Sequence, residues 1–197
     1  MRILLLAAWL LLLPAAFAYH LGPGQTRKVL DVAAAKLAEA DRHVAANDYG
    51  SAVELYDEAL KLLPADRQAE ARRIRLERAK AMMLARKLPD AHADLKALVD
   101  DLQEAQPADP ALLAEARSAQ ANSQYYLTWL MRLEGLGRDL WEPEIESARQ
   151  TYKLLAEQAE SRGDATAAKK HKEDLESAIR LARMDLSELQ GLPLPSQ

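Results

Sequence analysis

From Leu30 to Leu189 the apolar residues return at steps of three, four and seven. A repeat of about 3.6 residues puts such positions on one side of an α-helix. The first helical face is Leu30, Ala33, Leu37, Ala40 and Val44, with Thr26 as its expected N-cap, and Asn47-Asp48 breaks it. A second helix, from near Gly50, turns Ala52, Tyr56, Ala59 and Leu63 inward and stops at Pro64. Asp66 opens a third, reaching about Lys87; Pro89 opens a fourth with Ala91, Leu95, Leu98 and Leu102 inward. After the linker EAQPADP (104–110), Asp109-Pro110 starts a long fifth helix that Gly135 and Gly137 end. A sixth carries Trp141, Ile145, Ala148, Tyr152, Leu155 and Ala159 on one face. Past Gly163-Asp164, a seventh carries Leu175, Ile179, Ala182, Leu186 and Leu189. No segment reads as a strand. The pattern predicts an all-α protein of antiparallel helix pairs with a longer C-terminal helical cap, in one domain over 26–190.

The opening residues follow a different logic. MRILLLAAWLLLLPAAFA places Arg2 before an apolar run from Ile3 to Leu13, and Ala16-Phe17-Ala18 suits signal-peptidase cleavage. The run is shorter than the ~20 residues of a membrane-spanning helix. A cleaved signal peptide over 1–18 is expected, with an uncleaved anchor as the alternative; the exported chain would be periplasmic or secreted. Residues 19–25, with Gly22-Pro23-Gly24, and 191–197 read as a flexible start and a disordered tail. Without the leader, 25 basic face 30 acidic residues, a net charge of −5, which offers no pull towards nucleic acid or anionic lipid. With no cysteine, there is neither a disulfide nor a lipidation site after the leader.

The stretch NDYGSAVELYDEALKLLP (47–64) resembles the second half of a tetratricopeptide repeat (TPR). Asp48, Tyr49, Ala52, Tyr56, Ala59 and Pro64 fall at the family's places, after Leu37, Ala40 and Val44 in the preceding helix. Leu88, Ala91, Leu95 and Leu98 echo Tyr49, Ala52, Tyr56 and Ala59 39 residues later, so the resemblance covers about 30–103. Helices over 110–190 are divergent, and His43 and Met82 stand where the family often has a tyrosine. The resemblance implies a short solenoid whose concave groove binds peptides or partner proteins, without catalysis.

Catalytic and metal signatures are missing. His20, His43, His92 and His171 lack ligand spacing, and no nucleophile elbow or phosphate-binding glycine loop occurs. No cofactor or metal is expected. Glu134, Glu142, Glu144 and Glu146 surround one turn and offer at most an acidic rim. Residues 67–87 hold eight basic and two acidic positions. By analogy with the repeat family, Arg73 and Lys80 line the groove and guide an acidic peptide. The other reading is a solvated basic face balanced by Asp90, Asp94, Asp100 and Asp101.

On the fifth helix, Leu112, Ala116, Ala119, Ser123, Tyr126, Leu130 and Leu133 form the expected core face. A second stripe, Ser118, Asn122, Tyr125, Trp129 and Arg132, mixes aromatic and polar groups as binding faces do. Asn122, Tyr125, Trp129 and Arg132 are therefore candidate anchors for a partner, or for a second copy of the chain. The competing reading packs Trp129 against Trp141.

Overall fold

Four helices among the described residues end in the same left-handed turn. In the computed structural model, which describes residues 23–191, eight helices follow one another and no strand occurs among the described residues. They are α1 (Pro23–Ala45), α2 (Tyr49–Leu62), α3 (Gln68–Leu84), α4 (Leu88–Glu104), α5 (Pro110–Leu133), α6 (Arg138–Ser161), α7 (Ala165–Arg183) and α8 (Leu186–Gln190). Two residues beyond the ends of α1, α3, α5 and α6, the backbone turns left-handed at Asn47 (φ 59°), Arg86 (φ 62°), Gly135 (φ 74°) and Gly163 (φ 75°). The next amide then reaches back to the last turn: Asp48 N to His43 O at 2.8 Å, and Lys87 to Met82, Leu136 to Met131 and Asp164 to Ala159 at 2.9 Å each. This is the Schellman closure, which satisfies carbonyls a helix end would otherwise leave bare. It extends the hairpin signature to α5–α6, where the sequence shows no repeat.

The leader expected over 1–18 and the tail residues 192–197 lie outside the described residues. The described residues divide into two compact units, the first ending at Ala71 and the second beginning at Arg72.

In the first unit α1 packs on α2. Ala33, Ala40, Ala52 and Ala59 are all 2% exposed or less, so the two backbones approach closely. Tyr56 is buried and its hydroxyl donates to Asp41 at 2.9 Å; Lys36 pairs with Glu58 at 2.8 Å. Asp48 caps α2 through the Ser51 amide and also receives His43 at 2.8 Å. The Ser51 side chain, then the His43 imidazole and the Ser51 amide, hold its carboxyl below the ordinary range. Thr26 is not the cap expected of it: helix already covers Pro23, which suits a first turn.

In the second unit the period-derived faces of α4 and α6 hold throughout. Ala91, Leu95, Leu98 and Leu102 are buried, as are Trp141, Ile145, Ala148, Tyr152, Leu155 and Ala159. The basic run of α3 meets the acids of α4: Arg72 and Arg75 both reach Asp101, at 3.0 and 2.9 Å, and Arg78 binds Asp94. His92 Nδ1 lies 3.0 Å from Ser123 Oγ, whose hydroxyl already donates to Gln120 O, so the histidine is the donor. The seventh helix differs from expectation. It stops at Arg183, and Asp185 begins α8 with a capping box closed by Glu188. Ala168, Ala178 and Leu181 are the buried positions of α7; of the residues expected inward, Leu189 is buried, Leu175 and Ala182 pack partly buried against the core, and Leu186 is 44% exposed.

Candidate functional site

Three helices of the second unit, α3, α5 and α7, converge on a cleft of about 290 Å³. Its walls are Lys80, Met83 and Leu84 from α3; Glu115, Ser118, Ala119, Asn122 and Tyr126 from α5; and Lys170 from α7. The α5 residues recur at three- and four-residue steps, so one helical face forms the floor, with small side chains in its middle. Of the candidate partner-binding residues, Lys80 and Asn122 meet here.

Lys80 is pinned between Glu77 at 2.8 Å and Glu115 at 2.5 Å. Burial works against its charge, but the two carboxylates outweigh it and hold the ammonium above its ordinary range. Arg73 does not line the cleft; it is exposed and bonded to Asp109 at 3.0 Å. Both cations expected to guide an acidic partner thus already have acidic partners of their own. Lys170 differs: it is exposed and makes no ion pair among the described residues.

The aromatic stripe divides in two. Its first half, Ser118 and Asn122, lines the cleft, whereas Trp129 (6% exposed) and Arg132 (8%) are core. The reason is what crosses them. Leu181 of α7 and Leu189 of α8 pack in one cluster with Trp129 and Trp141, and Arg132 donates to the carbonyls of Leu181 and Met184 at the end of α7. Its guanidinium also lies 4.8 Å from the Trp141 ring centroid. Trp129 and Arg132 are therefore not surface anchors. Tyr125 is half-buried, edge-on to Tyr126 at 5.5 Å and tilted to Trp129 at 6.2 Å, and packs against the same cluster. Leu130, expected inward, is 38% exposed instead, and Tyr126 is only half-buried, with its phenol raised by burial.

Tyr152 of α6, 2% exposed, donates its hydroxyl to Oδ1 of Asn122 at 2.8 Å. Burial disfavours the phenolate and keeps that proton in place. On α7, His171 Nδ1 and Asp174 Oδ2 lie 3.6 Å apart, both inaccessible to solvent and neither hydrogen-bonded. Burial raises the Asp174 carboxyl and lowers the His171 imidazole.

The glutamates of the α5–α6 turn do not form a rim. Glu142 pairs with Arg138 and Glu146 with Arg149, both at 2.5 Å, while Glu144 accepts from Gln124 at 3.1 Å. No group of three potential metal ligands occurs among the described residues. A wider, shallower groove of about 690 Å³ runs along α7 and α8 past Ile179 and Met184. Of these two, the cleft is the one that gathers side chains from three separate helices. Among the described residues, no helix is long and apolar enough to cross a membrane. The chain matches no protein-family model and no curated protein.

Proposed function

We propose that this is an exported, non-catalytic helical-repeat module of TPR-like type, and that it holds a segment of a partner protein in the α3–α5–α7 cleft. The observation that carries the reading is the convergence of the first helices of two hairpins, α3 and α5, with α7 on one concave feature. A preformed trough with small residues in its floor admits an extended segment without rearrangement. The recurring Schellman turn supports the repeat-like character, and the leader sequence supports export. Self-association through the aromatic stripe is not favoured, because Trp129 and Arg132 are buried.

Photo-crosslinking tests the reading. A benzophenone amino acid replacing Ser118, in the cleft, is expected to trap a defined partner in the producing cell, with the crosslinked peptide identified by mass spectrometry. The same group at Leu154, which is exposed on α6, is expected to trap nothing reproducible. Equal products from both positions would refute a cleft-directed function.

A further inference from the structure

Resting on the reading of the cleft as a binding site, we infer that Tyr152 is a positioning residue that turns the Asn122 amide towards the cleft as a donor, so that Asn122 and Lys170 together take a glutamate side chain of the bound segment. A free asparagine amide presents either its oxygen or its nitrogen with nearly equal ease. Here the choice is made from below. The buried Tyr152 hydroxyl makes no other hydrogen bond among the described residues, so its proton needs Oδ1 of Asn122, 2.8 Å away; a flipped amide would leave that proton buried without an acceptor. The Asn122 nitrogen makes no hydrogen bond among the described residues and is not one of the buried, unpartnered atoms, so solvent reaches it. What the cleft meets is therefore an N–H donor.

Lys170 supplies the charge. It has no ion pair among the described residues, and its influence on Asp174, one turn further on, acts through space without a direct bond. Lys80 across the cleft is already matched by Glu77 and Glu115 and adds no unpaired cation. Met83 and Ala119 give apolar wall to the stem of a long side chain. An apolar stem ending at an amide N–H and an ammonium fits glutamate, and a volume of about 290 Å³ suits one or two side chains of an extended segment. A charge-assisted bond is about twice as strong as a neutral one, so a glutamine in the same place binds less well.

The probe is a fluorescein-labelled, end-blocked hexapeptide with two central glutamates, and its twin with two glutamines, titrated by fluorescence anisotropy into the chain without its leader. The glutamate peptide is expected to bind about tenfold tighter, the worth of one charge-assisted hydrogen bond. Asn122→Asp keeps the bond from Tyr152 but offers an acceptor to the cleft, and Lys170→Gln removes the cation; each is expected to abolish the preference. Tyr152→Phe is expected to weaken it, and to shift the Asn122 side-chain amide signals in the ¹⁵N spectrum before any peptide is added. Should Tyr152→Phe fail to fold, Asn122→Asp and the amide signals of the parent protein, which must move on adding the glutamate peptide, carry the test. If both peptides bind equally, the cleft reading stands and this inference is overturned. If Tyr152→Phe changes neither the preference nor the amide signals, the positioning role is overturned. Binding of neither peptide, with unmoved Asn122 signals, overturns the inference; the crosslinking experiment decides the cleft reading separately.

Discussion

Replacing Arg132 with methionine tests whether a buried cation fastens the end of the second unit. Arg132 is 8% exposed and donates to the carbonyls of Leu181 and Met184, while its Cζ lies over the Trp141 ring. Its partners are the negative end of the α7 dipole, since among the described residues no carboxylate bonds to it directly; Asp185 helps only at a distance. Hydrogen bonds from a charged donor are worth about 1.5–3 kcal/mol each, so losing two removes roughly 3–6 kcal/mol. Methionine offsets part of that, because taking a guanidinium out of water is itself costly. A net loss of about 3 kcal/mol is expected, or about 6–12 °C in Tm for a chain of this size. Arg132→Lys keeps the charge but not the two-pronged donor, and about half the loss is expected. Without the leader, the two remaining tryptophans, Trp129 and Trp141, both belong to the second unit. Thermal unfolding followed by tryptophan fluorescence therefore reports on that unit alone. A methionine variant as stable as the parent, or more so, would show that relief of desolvation wins and that the carbonyl contacts do not hold α7.

The remaining predictions concern charge, turns and core. Asp174 has a folded-state pKa above its unfolded value, so the fold binds more protons in that window and stability falls as pH rises through it. Asp174→Asn is therefore expected to raise stability by about 1 kcal/mol at pH 7, the cost of an unsatisfied buried polar group, and to give no gain below the unfolded carboxylate range. Urea unfolding at both pH values checks this. Arg86 sits at φ 62° in a turn where two counterparts are glycine; Arg86→Gly is expected to gain about 0.5–1 kcal/mol and Gly163→Ala to lose about 1 kcal/mol, both read from urea midpoints. Leu95→Ala, at a position with no exposure, is expected to cost about 2–5 kcal/mol in the same assay.

Periodicity made the helices and most of their inner faces legible, because burial of one face is a property of a single segment. Ala91 to Leu102 on α4 and Trp141 to Ala159 on α6 needed no knowledge of their neighbours. The stripe on α5 did, since a mixed aromatic and polar face looks the same whether water or another helix lies across it. Only the path of α7 and α8 distinguishes Asn122 from Trp129 and Arg132. The break before α8 was written in Asp185 and Glu188, but the continuing apolar period concealed it. Arg86 carried no turn signal, as arginine is not a residue that left-handed positions favour. Lys170 could not be found from sequence, because its role needs α3, α5 and α7 brought together. The period placed Tyr152 in the core, while the partner of its hydroxyl, thirty residues earlier, left no trace in spacing.

The central claim, that the α3–α5–α7 cleft is where a partner segment binds, has a built-in reporter. Met83 lines the cleft and Met184 lines the outer groove along α7 and α8. With ¹³C-methyl-labelled methionine, titration of the segment identified by crosslinking from position 118 is expected to shift the Met83 methyl and leave the Met184 methyl in place. A shifted Met184 with an unmoved Met83 would put binding in the groove along α7 and α8 and contradict the account.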